Sequence, residues 1–176
     1  MRVLFWGTPE FAASPLRALI GEGFDVVGVV TQPDKPQGRS RGTLVPPPVK
    51  VIAEGEDIPV LQPDRPRGEE FIASLRALSP DLSVVVAYGH ILPRAVVDLP
   101  VRGTLNIHAS LLPALRGAAP IQEAIRSGLT ETGVTIMRMV EALDAGPIIL
   151  QQSVPILPDA TYGELQLELA EVGAET

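Results

Sequence analysis

Unbroken apolar runs alternate along this chain with segments whose apolar residues recur every three to four positions. Arg2 to Trp6 contains such a run, closed by Gly7-Thr8-Pro9, and predicts a short strand buried on both faces. Phe11, Ala12, Leu16, Leu19 and Ile20 then fall at helical spacing, with Gly21 and Gly23 ending the helix. Asp25 to Thr31 (DVVGVVT) is a second strand too apolar to keep one face in water. This β-α-β order, with strands covered on both sides, predicts an α/β, Rossmann-like fold with an open, mostly parallel sheet and helices on both faces.

The pattern continues in the same style. Gln32 to Lys50 has no periodicity and reads as a long loop, with five prolines and two glycines. A short helix over Val49 to Glu54, a short strand over Ile58 to Leu61, and a helix over Glu69 to Leu78 follow. Asp81 to Tyr88 (DLSVVVAY) is the most strand-like run, and in an open α/β sheet the residues after such a strand, Tyr88, Gly89 and His90, rim the ligand pocket. Pro93 to Leu99 predicts a short helix, Thr104 to His108 a strand, and Ala119 to Ser127 a helix that tolerates Pro120 in its first turn. Gly133 to Met139 alternates as a strand with Val134, Ile136 and Arg138 on one face; Pro147 to Ile156 is a final strand and Tyr162 to Val172 an amphipathic helix. No repeat, low-complexity segment or internal boundary divides the chain, so 1–176 is expected to form one domain.

Composition narrows the picture. At 176 residues and 45% hydrophobic, the chain can bury a self-sufficient core without a disulfide or metal staple. It has no cysteine, which removes thiolate metal ligands and cysteine nucleophiles and suits the cytoplasm. The apolar start is too short for a signal segment or a membrane span, so no membrane association is expected. The net charge of -7 argues against a wholesale nucleic-acid-binding surface, and confines any such contact to a local patch. The 32–50 loop is that patch: Lys35, Arg39, Arg41 and Lys50 stand against Asp34 alone. It fits either a solvated connector or an arm that orders on phosphate.

Candidate chemistry concentrates after the strand at Thr104 to His108. Side chains at i and i+2 share a face of a strand, so Asn106 and His108 point the same way. An imidazole that exchanges a proton near neutral pH, an amide N–H for an oxyanion, and a carboxylate such as Asp144 to charge the imidazole make an acyl-transfer set. The same spacing equally fits a structural His and Asn at a strand edge. A Ser110-His108-Asp144 hydrolase triad lacks the G-x-S-x-G elbow, and the two histidines lack zinc-ligand spacing, so no metal is expected. The first turn, Gly7-Thr8-Pro9-Glu10, lacks G-x-G-x-x-G, and Pro9 removes a donor that a dinucleotide pyrophosphate would use.

Seven segments together resemble one family: WGTPEFA (6–12), TQPDKPQGR (31–39), PVKVIA (48–53), VVAYGHILP (85–93), NIHASLLPALRGAAPIQ (106–122), ETGVTIM (131–137) and LDAGPI (143–148). In that order they are similar to the methionyl-tRNA formyltransferase family. N-I-H, S-L-L-P and L-D-x-G are common to the 10-formyltetrahydrofolate-dependent formyltransferases, including those acting on glycinamide ribonucleotide and nucleotide sugars; G-T-P-x-F-A, T-Q-P-D-x-P-x-G-R and R-G-A-A-P-I-Q are the narrower markers. The resemblance implies the formyltransferase fold and a catalytic trio of Asn106, His108 and Asp144. It also implies that the methionyl α-amine attacks the formyl carbon of the co-substrate 10-formyltetrahydrofolate directly.

The resemblance further implies that Ser110, Leu111, Leu112 and Pro113 form a folate-contacting loop. The pterin would enter between the 86–91 segment, with Tyr88 and Gly89, and the loop before Asp144. The loop carrying Lys35, Arg39 and Arg41 would approach the acceptor stem of initiator methionyl-tRNA. Two features depart from the family: the arm reads G-R-S-R-G-T-L where relatives often carry more lysines, and His90 replaces an apolar or amide residue. The family continues into a tRNA-holding β-barrel, so this chain is expected to be the catalytic domain of a longer, monomeric, cytoplasmic enzyme.

Overall fold

The computed structural model describes residues 1–37 and 43–176. In chain order the strands are β1 (Arg2–Gly7), β2 (Asp25–Val30), β3 (Lys35–Gln37), β4 (Thr43–Val45), β5 (Val60–Leu61), β6 (Leu82–Val86), β7 (Thr104–His108), β8 (Glu131–Arg138) and β9 (Ile148–Pro155). The helices are α1 (Ala13–Gly21), α2 (Pro48–Gly55), α3 (Glu69–Ala77), α4 (Arg94–Val97), α5 (Pro120–Arg126) and α6 (Tyr162–Glu175). Seven strands form one sheet in the order β5-β2-β1-β6-β7-β8-β9. The pairs from β5 through β7 are parallel, while β7-β8 and β8-β9 are antiparallel.

The apolar runs explain the layers. Val3 and Phe5 of β1 point into one core and Leu4 and Trp6 into the other, because successive strand residues face opposite sides. The first core is closed by α1, α2 and α6 through Leu16, Val49, Ile52, Leu165 and Leu169. The second is closed by α3 and α4 through Ile72, Leu75, Val96 and Val97. Inside it the Trp6 indole Nε1 donates to Ser83 Oγ at 3.3 Å.

Several predicted elements change on folding. Helix α1 begins at Ala13 after a 3-10 turn over Glu10–Ala12, and Pro15 sits in its first turn, where a missing N–H removes no bond. The 32–50 loop is not structureless: β3 and β4 pair as an antiparallel ribbon in which Pro36 faces Leu44, and α2 starts at Pro48. Such a two-stranded ribbon needs no apolar alternation, which is why periodicity missed it. Arg39 and Arg41 lie outside the described residues. Strand β8 is buried continuously from Thr132 to Met137 instead of on one face. Val134 packs near Gly173 of α6, and Leu111 lies over Gly133 on the opposite side.

Candidate active site

The parallel strands run out at one end of the sheet, and a cleft of about 640 Å³ opens there, within the range that holds a small ligand. Its walls come from Phe11 after β1, the 87–92 segment after β6, the end of β7, and the 139–144 segment after β8. Chain order reverses between β1 and β6, since β2 and β5 lie to one side of β1 and β6 and β7 to the other. Crevices for ligands form at such a switch point because the flanking connections leave in opposite directions.

Asn106, His108 and Asp144 all line this cleft. Met137 pairs across from Asn106 and Thr135 across from His108, so the antiparallel neighbour β8 fixes the height of both side chains. The His108 and Asp144 side chains are only 7% and 9% exposed, and Nδ1 of the imidazole lies 3.9 Å from Asp144 Oδ2. That is ion-pair range and longer than a hydrogen bond.

Two backbone groups of the connecting loop complete the arrangement. His108 Nε2 is 3.0 Å from the Leu115 carbonyl oxygen, an acceptor only, so the ring donates there and keeps that nitrogen protonated. The Gly117 N–H donates to Asp144 Oδ2 at 2.9 Å. Leu115, Gly117 and Asp144 have φ of 54°, 101° and 47°, left-handed conformations that bend the loop so that one carbonyl and one N–H meet the pair. Sequence reasoning missed Leu115 and Gly117; the R-G dipeptide at 116–117 was the one local signal of a turn.

Ser110 to Pro113 follow directly on β7, beside the cleft lining at Ala109. None of the four lines the cleft. Ser110 is fully buried and its Oγ donates to the Ala114 carbonyl at 2.6 Å. Thr135 Oγ1 donates to the Ser110 carbonyl and accepts from the Leu112 N–H, and Gln151 Nε2 donates to both Thr135 Oγ1 and the Leu112 carbonyl. The Leu112-Pro113 peptide is cis. A side chain this deeply engaged also removes Ser110 as a nucleophile beside His108.

Tyr88 and Gly89 do border the cleft. The Tyr88 ring, however, turns into the second core, edge-on to Trp6 with centroids 5.2 Å apart, and burial pushes its hydroxyl pKa up to about 12. At this wall the polar groups left for a ligand are backbone and the exposed His90 ring, which packs 5.7 Å from Tyr88. Lys35 is exposed on β3. Among the described residues no group of three or more His, Asp or Glu side chains gathers as metal ligands, and no helix is long and apolar enough to cross a membrane.

Comparison with known proteins agrees with this fold. The formyl transferase family model matches residues 1–176. Methionyl-tRNA formyltransferase of Moorella thermoacetica is 54% identical over 174 residues, covering 99% of this chain and 56% of that relative. The enzyme of the same name from Symbiobacterium thermophilum is 57% identical over 175 residues, covering 99% and 53%. The chain thus spans about half the length of these relatives. Among solved structures, phosphoribosylglycinamide formyltransferase of Bacillus halodurans superimposes with a TM-score of 0.81 at 25% identity, over 99% of this chain and 90% of that one. With a family model matched along its whole length and relatives more than half identical to it, this chain belongs to the formyl transferase family.

Proposed function

We propose that residues 1–176 are a catalytic domain that transfers a formyl group from 10-formyltetrahydrofolate to the α-amine of methionyl-tRNA. The observation that carries this reading is the convergence of Asn106, His108 and Asp144 on one cleft, in a chain over half identical to enzymes of that name. The cleft fits a pteridine-sized group: its walls are largely apolar, with backbone polar groups at 87–92 and the trio at its floor.

In this reading the folate supplies an activated formyl carbon. The amine nitrogen attacks that carbon, an N–C bond forms, and negative charge develops on the formyl oxygen. The Asn106 amide N–H and the His108 ring stabilise that charge, with the Asp144 carboxylate beside the ring. The bond from the formyl carbon to the folate nitrogen then breaks, and the proton lost by the amine reaches that nitrogen through Asp144. Ser110 to Pro113 are the proposed folate-contacting loop, held in place by hydrogen bonds from Ser110 and Leu112 to Ala114, Thr135 and Gln151.

Lys35, Arg39 and Arg41 are the proposed contacts to the tRNA acceptor stem. The enzyme is placed in the cytoplasm as a monomer, which light scattering of the purified chain checks. The likeness to phosphoribosylglycinamide formyltransferases favours a second reading, the same transfer to a ribonucleotide or sugar amine. A formylation assay with charged initiator tRNA, glycinamide ribonucleotide and an amino sugar nucleotide separates them. Transfer to the tRNA alone supports the proposal, transfer to another amine replaces it, and folate binding with no transfer to any amine leaves a binding module.

A further inference from the structure

The rim of the cleft after β6 has a backbone course that needs support from outside itself. Ala87 and Gly89 take φ of 47° and 91° on either side of Tyr88, and an alanine in the left-handed region is strained unless its surroundings hold it there. The support comes from two other strand ends. Thr8, after β1, donates its Oγ1 to the Tyr88 carbonyl at 2.9 Å, and Gln32, after β2, donates Nε2 to the same carbonyl at 3.0 Å. The Gln32 N–H reaches Thr8 Oγ1 at 3.4 Å. The Gln32 amide also occupies the space that a Cβ on Gly89 would need.

Gln32 is itself held. Gln62 Nε2 donates to the Gln32 carbonyl at 3.0 Å and to Asp34 Oδ1 at 2.7 Å, and Lys50 Nζ binds both Asp34 oxygens at 3.0 and 2.9 Å. The Gln62 amide and the Lys50 ammonium keep the Asp34 carboxyl below its ordinary pKa. The chain of contacts runs from α2, past the root of β3, to the cleft. In a trans peptide the N–H points opposite to the C=O. With the Tyr88 carbonyl drawn toward Thr8 and Gln32, the Gly89 N–H is therefore directed away from them.

We propose that Gln32, braced by Gln62, is a positioning residue that orients the 88–89 peptide for ligand binding at the cleft. This rests on reading the cleft as the folate site. Gln32→Glu is nearly isosteric but sets an acceptor against the Tyr88 carbonyl, and Gln32→Ala removes the donor; Gln62→Leu removes the brace one step back.

The probe is 5-formyltetrahydrofolate, with binding to the 176-residue chain followed by calorimetry. Loss of one aligned hydrogen bond is expected to weaken binding about tenfold in both Gln32 variants and about threefold in Gln62→Leu. In ligand-free protein the Gly89 and His90 amide resonances should shift while amides of β8 and α6 stay in place, a signature that general loosening of the fold would not produce. Wild-type affinity with unmoved Gly89 and His90 amides in the variants overturns the proposal. Wild-type protein that does not bind the probe overturns the folate reading instead, and the resonance shifts still decide the role of Gln32. Should the Gln32 variants not fold, Gln62→Leu carries both readouts.

Discussion

At the scale of single residues, the site is a pair of side chains held by backbone. Asn106 and His108 are visible in the sequence because strand periodicity is local. Asp144 is 36 positions away in the chain, so the sequence offers it as a candidate carboxylate without placing it beside His108; its position depends on a left-handed φ of 47° and on the Gly117 N–H. Replacing His108 with Ala is expected to abolish transfer while leaving cooperative unfolding intact, as circular dichroism during heating would show. Asp144→Asn keeps the shape but removes the carboxylate that relays the proton in the proposed transfer, so kcat/KM should fall by about 10²-fold or more in a formylation assay. Gly117→Ala tests the backbone clamp: an added Cβ meets no atom, but φ of 101° is strained for alanine. The cost should be on the order of 1–3 kcal/mol in urea unfolding, with a loss of transfer.

Among the elements, the ribbon of β3 and β4 was the least legible. Its prolines and charges look like a connector, and only pairing of Lys35 with Val45 and Gln37 with Thr43 makes it a structural arm. The Arg39→Ala, Arg41→Ala double variant should weaken tRNA use and lower the salt slope of binding by about 2, with cofactor affinity unchanged; equal losses in both would remove the arm from the proposal. The root of the arm is set by Asp34, whose carboxyl ionises below its ordinary value. A depressed folded value means that the contribution is present at neutral pH and is lost as the pH falls through that value. The gap in melting temperature between wild type and Asp34→Asn should therefore narrow as pH drops below about 3.9. Helix α6 is more predictable: Thr161 and Glu164 form a reciprocal capping box, and Thr161→Ala should cost about 1 kcal/mol in chemical unfolding.

Over the whole molecule, stability and site share one framework. Leu169 of α6 is fully buried in the core shared with β1, β7 and β8, so Leu169→Ala should lower unfolding free energy by about 2–5 kcal/mol in a denaturant titration. Because β8 sets the height of Asn106 and His108, that loss should also raise local opening at the site, read by hydrogen exchange of the β7 amides. The sequence by itself determined the alternation of buried strands and helices, the mostly parallel α/β class and the shared face of Asn106 and His108. Each follows from contacts a few residues apart or from a strand's need to cover both faces. Tertiary structure alone decided the antiparallel turn of β8 and β9, the approach of Asp144 to His108, the ties of Ser110 and Leu112 to Thr135 and Gln151, and the tie from Gln32 to Tyr88. These join residues tens of positions apart, and their geometry is set by sheet order and left-handed turns, which leave no periodic trace in the chain.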